Sequence, residues 1–336
     1  MRLFICEFIT GGGLQDKELP DGLAREGNMM LEAVLTDLLQ TGITDIITTR
    51  DDRLDELSLP VKQTAINGDI YSCWQSCMDD ADAVLIIAPE SENVLFNLTL
   101  MAERSDCYLL GSSSGSVQMN SSKLSTANLL HKNNITCIET SALEDKTVDE
   151  SQNGWVIKPD DGVGAEDCYF CADRDELDEL ISSINTENFV IQEYVPGIPA
   201  SLSMICHQGK TQLLACNKQM FSFDPDSPTA KGELQGLVVN GMLEKWDMFN
   251  TVAQNIARAD TGLWGYIGVD LIVTEAGAVV VEINPRLTTS YVGLRRSLSL
   301  NPAELILSIW QNGVMPEVNK KDFIPVNLQL EEANVV

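Results

Sequence analysis

Two short apolar segments near the C-terminus constrain the fold of this 336-residue chain more than any other feature. They are Trp264–Val273 and Ala278–Arg286, and both are rich in β-branched residues, which favours two buried strands. The residues between them have turn chemistry, because Gly277 is free to take a positive φ. The sequence therefore predicts a β-hairpin in this part of the chain.

Two acids and one amide interrupt the apolar pattern of the hairpin. Folding it symmetrically about Ala276 places Asp270 opposite Glu282, and the two-residue period of a strand places Asn284 on the face of Glu282. Facing like charges destabilise a strand pair by roughly 0.2–1 kcal/mol, which a hard cation removes. Carboxylate and amide oxygens form a partial cage that Mg²⁺ usually completes with phosphate oxygens. These three residues are therefore predicted metal ligands, and the alternative is a solvated acidic face on an edge hairpin.

The composition excludes several classes of partner. A net charge of −28, from 22 basic and 50 acidic residues, argues against nucleic acid and anionic membranes. No apolar run is long enough to span a bilayer, and the N-terminal apolar stretch contains Glu7, so it is predicted to be a first strand and not a signal peptide. Nine cysteines without regular spacing indicate a reducing compartment. We expect a cytoplasmic protein.

The first third of the chain alternates strand and helix patterns. Residues 1–112 are therefore predicted to form a small parallel α/β domain. Ligands gather at the carboxyl ends of strands in such a sheet, which here means near Glu7–Gly13 and Pro89–Asn93.

Two further regions follow. Residues 113–195 open with a Ser/Gly-rich segment, Ser112–Ser122, which is predicted to be a linker, and continue with mixed helix and strand patterns. Residues 196–336 are predicted to be mostly antiparallel strand with two helices.

Two weaker signals suggest a nucleotide site. Lys158 ends a predicted strand and leads into a glycine-containing loop, where backbone N–H groups can approach phosphate oxygens. Further on, an apolar strand breaks at Pro196 after Gln192 and Glu193, and a hinge of this kind can present backbone groups to an adenine edge. Taken singly, each has an ordinary explanation as the end of a strand.

In this order, the lysine–glycine loop, the Gln-Glu hinge and the Asp270…Glu282-Ile-Asn284-Pro-Arg286 set resemble the ATP-grasp superfamily over residues 113–310. The resemblance implies a mixed fold, α/β and α+β. Two α+β subdomains, residues 113–195 and 196–336, would clamp ATP between them, and a small parallel pre-ATP-grasp domain, residues 1–112, would precede them.

The resemblance also implies roles for individual residues. The residues that would contact or cover the phosphates are Lys123, Lys158, Lys218, Gly162, Val163, Gly164 and Ala165. Those that would hold adenine belong to the hinge and are Gln192, Glu193 and Val195. Arg286 would meet the γ-phosphate or an acyl phosphate. Many family members carry a second glutamate past the hinge for the ribose, and because it is missing here, Ser201 is the candidate for that role.

The activity implied is that of an ATP-dependent carboxylate–amine ligase. A substrate carboxylate would attack the γ-phosphate, and an amine would then displace phosphate from the acyl phosphate, so the protein needs no nucleophile of its own. The expected cofactors are ATP and Mg²⁺, with a second ion and replacement by Mn²⁺ left open. The polar segment Phe221–Gly236 is predicted to close over the intermediate and exclude water, and the alternative is a surface loop.

Short motifs bear on the substrates. Glu7–Leu14, Leu23–Met30 and Cys216–Gln219 resemble the tyramine–L-glutamate ligases of methanofuran and methylofuran biosynthesis. This implies that the side-chain carboxylate of glutamate is phosphorylated and attacked by tyramine.

Four residues are candidates for binding these substrates. Thr289 and Ser290 would hold a substrate carboxylate, and Glu7 or Glu26 would attract an ammonium group. Small molecules are therefore the expected partners, and a homodimer is left open. The alternatives are another ATP-grasp amino-acid or dipeptide ligase and a non-catalytic, nucleotide-binding regulatory protein.

Overall fold

The computed structural model describes residues 1–66, 68–143, 151–162, 167–223 and 232–330. Within these residues the strands form three sheets, and each sheet lies inside one of the three regions predicted from the sequence. The boundaries proposed after residues 112 and 195 stay predictions.

The N-terminal region is a five-stranded parallel sheet in the order β3-β2-β1-β4-β5. Its elements are β1 (Arg2–Glu7), α1 (Asp21–Gln40), β2 (Asp45–Arg50), β3 (Lys62–Ala65), α2 (Ile70–Asp79), β4 (Ala83–Ile87), α3 (Val94–Arg104) and β5 (Tyr108–Leu109). The central strands β1 and β4 are apolar and buried almost throughout, as expected where helices cover both faces. Because Glu7 pairs with Ile87, the segments that follow these two strands leave the sheet side by side. The predicted parallel α/β domain is confirmed.

The segment predicted to be a linker is helical, so that prediction is wrong. It contains α4 (Ser114–Ser121), which is followed directly by α5 (Lys123–Lys132). The serines that suggested a loop act as helix caps: the side chain of Ser113 accepts a hydrogen bond from the backbone of Ser116, and Ser122 caps α5 in the same way. In addition, Asn120 of α4 donates to Asp260 at 2.8 Å, so tertiary contacts outweigh the loop-like composition.

The middle region is a four-stranded antiparallel sheet in the order β6-β9-β7-β8. Its elements are β6 (Thr140–Ala142), β7 (Trp155–Pro159), β8 (Tyr169–Cys171), α6 (Arg174–Ser183) and β9 (Phe189–Glu193). The strands that end at the predicted phosphate loop and at the hinge, β7 and β9, pair with each other, so those two segments belong to one small sheet.

The last region is a six-stranded antiparallel sheet in the order β14-β13-β10-β11-β12-β15. Its elements are β10 (Ile198–His207), β11 (Lys210–Phe223), β12 (Gly232–Val239), α7 (Trp246–Ala259), β13 (Gly265–Val273), β14 (Ala278–Asn284), α8 (Tyr291–Leu298), α9 (Pro302–Asn312) and β15 (Val326–Gln329). The segment predicted to close over the intermediate begins and ends within β11 and β12, and its centre lies outside the described residues.

The predicted pairing of Asp270 with Glu282 is confirmed, but the hairpin is not symmetric about Ala276. Thr274 donates its N–H to the carbonyl of Gly277 at 2.8 Å, so the turn is centred half a residue before Ala276. A one-residue bulge in β14 after the turn restores the register, and Asp270 lies opposite Glu282.

The parallel domain and the large sheet share one hydrophobic core. Leu3 and Leu35 from the first domain belong to the same buried cluster as Leu202, Ile267 and Leu294 from the last region. Among the described residues, the small sheet packs around a separate buried cluster that includes Trp155 and Leu177. In the part of the chain described here, no helix is both long and apolar enough to cross a membrane.

Candidate active site

The acid–amide set of the hairpin converges on one face of the large sheet. Oδ1 of Asp270 accepts a hydrogen bond from Gln219 at 2.7 Å, and Oδ2 accepts one from the amide of Asn284 at 3.0 Å. Ser201 pairs with Asp270 across β10 and β13, so its side chain lies on the same face. The structure thus brings Asp270, Glu282 and Asn284 together, with Ser201 beside them.

The two carboxylates of this set differ in charge state. Burial and the neighbouring charge of Glu282 raise the pKa of Asp270 to about 7. Burial also acts to raise the pKa of Glu282, but the charges of Lys123, Lys158 and Arg286 and the hydrogen bond with Asp270 together outweigh it, and the pKa falls below its ordinary value. The pair therefore places its negative charge first on Glu282.

This donor set fits a hard divalent ion. Its donors are all oxygens, and an added positive charge would allow both acids to ionise together. Among the described residues, no three His, Cys, Asp or Glu side chains are grouped as metal ligands. An ion held here would therefore need amide and phosphate oxygens besides the two acids, as Mg²⁺ does in nucleotide sites.

Two lysines lie next to Glu282. The side chain of Lys123 is only 6% exposed, and its Nζ donates to the carbonyl of Gly162 at 2.7 Å and lies 3.6 Å from Oε2 of Glu282. Burial lowers the pKa of Lys158 below its ordinary value, and the charge of Glu282 opposes that shift. A small pocket here is lined by Glu90, Asn120, Ser121, Lys123, Gly162, Glu282, Ile283 and Asn284. The buried cation of Lys123 in this pocket, with the partly buried Lys158 acting on the same carboxylate, makes the pocket suitable for a phosphate–metal complex.

The predicted adenine hinge lies at the end of β9. Gln192 is buried and donates to the hydroxyl of Thr140 at 2.9 Å, whereas Glu193 is exposed and accepts a hydrogen bond from Ser151 at 3.0 Å. Val195 is partly buried. Their contact with adenine stays a prediction, and Val163, Gly164 and Ala165 of the phosphate loop lie outside the described residues.

Arg286 follows the hairpin and pairs with an acid of the parallel domain. Its Nε lies 3.0 Å from both carboxylate oxygens of Glu90, and its Nη2 donates to Oε2 at 2.8 Å. The pair joins the large sheet to the segment after β4, close to the pocket described above.

The structure does not bring Lys218 together with the acidic pair. Ala200 pairs with Lys218, and Ser201 pairs with Asn217, so alternation along β11 turns Lys218 to the face opposite Asp270. Gln219, the next residue, is the one that reaches Asp270.

Two of the predicted substrate residues are in direct contact. The hydroxyl of Thr289 donates to Oε1 of Glu26, which joins the start of α1 to the segment after Arg286. Ser290 is buried, and its hydroxyl lies 2.8 Å from the hydroxyl of Tyr266 and 3.0 Å from that of Ser203.

Glu7 is placed differently from these residues. It is 2% exposed, and its carboxylate accepts hydrogen bonds from the backbone N–H groups of Ile9 and Thr10 and from the hydroxyl of Thr10. Glu7 therefore stabilises the glycine-rich turn, Ile9–Gly13, that follows β1. Its contact with a substrate stays a prediction.

Comparisons with known proteins identify the family of this chain. A family model for the ATP-grasp domain matches residues 120–290, and one for the pre ATP-grasp 3 domain matches residues 44–117. The chain belongs to the ATP-grasp family.

Relatives of this ATP-grasp protein extend the match to nearly the whole chain. A protein of Methanocaldococcus fervens named tyramine–L-glutamate ligase is 30% identical over 96% of this chain and 99% of its own length. One of the same name from Methanocaldococcus jannaschii is 28% identical over 91% of this chain and 88% of its own. A crystal structure from Archaeoglobus fulgidus assigned to the ATP-grasp superfamily has the same fold, with a TM-score of 0.72 at 22% identity, and covers 98% of this chain and 100% of that one.

This ATP-grasp protein is therefore an ATP-dependent ligase that forms a carbon–nitrogen bond between a carboxylate and an amine. Its family uses ATP and a divalent ion, typically Mg²⁺.

Sequence reasoning missed two residues of the site. Glu90 lies in the segment after β4 where ligands were expected, but nothing local to that segment identifies its partner, Arg286. Gln219 belongs to the motif Cys216–Gln219, in which only Lys218 was predicted to have a role. Strand alternation alone places Gln219 and Lys218 on opposite faces of β11.

Proposed function

We propose that this ATP-grasp ligase joins the side-chain carboxylate of L-glutamate to the amine of tyramine, as in methanofuran or methylofuran biosynthesis. A carboxylate oxygen would attack the γ-phosphorus of ATP and release ADP. The nitrogen of tyramine would then attack the acyl carbon of the γ-glutamyl phosphate, lose a proton and release phosphate. The match of two tyramine–L-glutamate ligases over nearly the full chain carries the choice of substrates.

The residues at the pocket suit the phosphoryl-transfer half of this reaction. Asp270, Glu282 and Asn284 would hold Mg²⁺, which when bound supplies charge for the phosphate oxygens. Lys123 and Lys158 would bind the same phosphates from the side of the small sheet. The proposal includes a second Mg²⁺ ion and allows Mn²⁺ to replace Mg²⁺.

The amide-forming half would lie beside Arg286. The contact between Glu26 and Thr289 supports this placement, because it holds an acid that can attract an ammonium group beside the segment after Arg286. Thr289 would donate its hydroxyl to a substrate carboxylate after releasing Glu26, since a hydroxyl carries one donor. Ser290 continues the same segment and would bind the carboxylate as well.

The proposal also covers the cellular compartment and the partners of the enzyme. All nine cysteines are free thiols, which is consistent with a reducing compartment, and we place the enzyme in the cytoplasm. Its partners would be small molecules, and a homodimer stays a prediction.

Product analysis with single omissions tests the proposed reaction. Purified protein is incubated with MgATP, L-glutamate and tyramine, and ADP and products are quantified, with each component left out in turn. We expect ADP in stoichiometric amount with a γ-glutamyl amide of the mass of glutamate plus tyramine minus water. A different amine or acid that yields amide while tyramine yields none would contradict the substrate assignment and retain the ligase.

A further inference from the structure

We infer that Glu90 is a positioning residue for phosphoryl transfer: it holds the guanidinium of Arg286 along the edge formed by Nε and Nη2 and leaves terminal N–H groups on Nη1 and Nη2 for a phosphoryl group. The parallel domain would then contribute to a site otherwise built by the two grasp subdomains. This inference rests on the proposed function for the role of Arg286.

The contact between Glu90 and Arg286 is a buried, charge-assisted one. The Arg286 side chain is 14% exposed and that of Glu90 is 5% exposed, although 196 positions separate them in the chain. Both carboxylate oxygens lie within 3.0 Å of guanidinium nitrogens. Two parallel bonds of this kind hold the plane of the guanidinium as well as its position.

Counting the donors of Arg286 shows which edge remains free. A guanidinium carries five N–H groups in a fixed fork. Glu90 takes the one on Nε and one on Nη2, and the carbonyl of Leu287 takes one on Nη1 at 3.1 Å. Within the described ranges of the chain, one N–H on each of Nη1 and Nη2 has no acceptor. Terminal N–H groups of this kind form the end of the fork, which matches two oxygens of a phosphoryl group.

The backbone around Glu90 is held from two sides. Leu95 donates its N–H to the carbonyl of Pro89 at 2.9 Å. Two residues beyond Glu90, the N–H of Glu92 donates to the side chain of Asp161, in the turn after β7, at 3.0 Å. Glu92 and Asn93 both have left-handed backbone angles, with φ of 54° and 58°, which non-glycine residues adopt only where the surroundings enforce them. Glu90 is therefore anchored more firmly than a loop residue usually is.

The charge of Glu90 has a second consequence. Glu90 lines the pocket that also contains Lys123 and Glu282, where the phosphates of a nucleotide are proposed to bind. A carboxylate at this wall repels phosphate and partly neutralises Arg286. Removing its charge should therefore tighten nucleotide binding and, at the same time, loosen the orientation of Arg286. Opposite effects on binding and turnover distinguish a positioning role from general damage to the fold.

The test compares Glu90→Gln and Glu90→Asp with the wild-type enzyme and with Glu92→Gln as the matched control. Glu92 lies in the same segment, but its side chain is 74% exposed and pairs with Lys17 and not with Arg286. We expect Glu90→Gln to lower kcat by about 10- to 100-fold, because a small misplacement of a transfer group costs that much. The dissociation constant for MgADP should fall by about threefold or more. Glu90→Asp, which restores the charge, should recover part of kcat, and Glu92→Gln should stay within about twofold of wild type in both quantities.

The outcomes separate this inference from the function on which it rests. Wild-type protein that forms no γ-glutamyl amide of tyramine contradicts the proposed substrates, and MgADP affinity still reports on Glu90. A Glu90→Gln variant with unchanged kcat overturns the positioning role. So does one that binds MgADP equally or more weakly, or one whose loss of kcat Glu90→Asp does not relieve.

Discussion

The two ends of the candidate site are built in different ways. At one end, Asp270 and Glu282 face each other across a single hairpin, and four residues of turn connect their strands. At the other end, Arg286 meets Glu90 and Thr289 meets Glu26, and these contacts join positions 196 and 263 residues apart. The first end is local in sequence, and the second exists only when the parallel domain packs on the large sheet.

This difference separates chemical function from stability. The hairpin brings two like charges together, which costs folding energy and prepares a site for a cation. The contacts between domains pair opposite charges or satisfy buried polar groups, so they stabilise the assembly while they orient the residues proposed to bind substrates. Variants at the two ends should therefore differ in how activity and stability change together.

The largest effect on rate is expected for Asp270→Asn. This change removes one of two carboxylate ligands, and ADP formation should fall by about 100-fold or more. The midpoint of thermal unfolding without metal should stay the same or rise, because the repulsion with Glu282 is relieved. Steady-state ADP release and a thermal melt in chelator measure both quantities. Full turnover would contradict the metal assignment, and Asp270→Glu serves as the charge-preserving control.

Arg286→Met should reduce both turnover and stability. It leaves Glu90 buried without its partner, which costs about 3–5 kcal/mol of unfolding free energy, and it removes the predicted phosphoryl contact. Adding Glu90→Met should restore most of the stability and none of the turnover, since the unpaired charge is gone. Denaturant titration and ADP release on the single and double variants measure this. A double variant as unstable as Arg286→Met would show that packing, and not the ion pair, holds this junction.

Tyr291→Phe should have a smaller effect on activity, which acts mainly through the predicted substrate residues Thr289 and Ser290. The hydroxyl of Tyr291 donates to buried Asp37 of α1 at 3.0 Å, so its loss should cost about 1–2 kcal/mol. Because Thr289 and Ser290 immediately precede Tyr291, the KM for glutamate should rise while the KM for ATP stays near wild type. Substrate titrations of the variant measure both constants, and an equal rise in the two would contradict a local effect.

The smallest effect is expected for substitutions of two neighbouring residues on β11, Gln219 and Lys218. Gln219→Ala removes the hydrogen bond to Asp270 and should raise the Mg²⁺ concentration needed for half-maximal ADP formation by about three- to tenfold. Lys218→Ala alters the opposite face of β11 and should change this Mg²⁺ concentration less. If Lys218→Ala has the larger effect, the placement of these two side chains relative to Asp270 needs revision.

The parts of the fold set by local pattern could be predicted from the sequence. Period-two alternation and a glycine turn predicted that Asp270 lies opposite Glu282. The turn is centred half a residue earlier than predicted, and the bulge in β14, which was not foreseen, compensates for that difference. The apolar runs of β1 and β4 likewise indicated a parallel sheet with ligands at its carboxyl ends. In each case the relevant residues are neighbours along the chain or share one repeating period.

The parts set by tertiary contact could not be predicted. Composition suggested a linker at Ser112–Ser122, but capping serines and the contact between Asn120 and Asp260 make it helical. The resemblance proposed Glu26 and Thr289 as separate substrate residues, and nothing in the sequence indicated that they touch. The partner of Arg286 was hidden for the same reason, because a pairing over 196 positions leaves no local signature.

Isotope transfer from the carboxylate to phosphate tests the central claim most directly. The enzyme is given MgATP, tyramine and L-glutamate labelled with ¹⁸O in the side-chain carboxylate, and the released phosphate is analysed by mass. Attack of the carboxylate on ATP followed by attack of the amine predicts one ¹⁸O atom in each phosphate formed together with amide. Amide formation with unlabelled phosphate would contradict an acyl phosphate intermediate at this site.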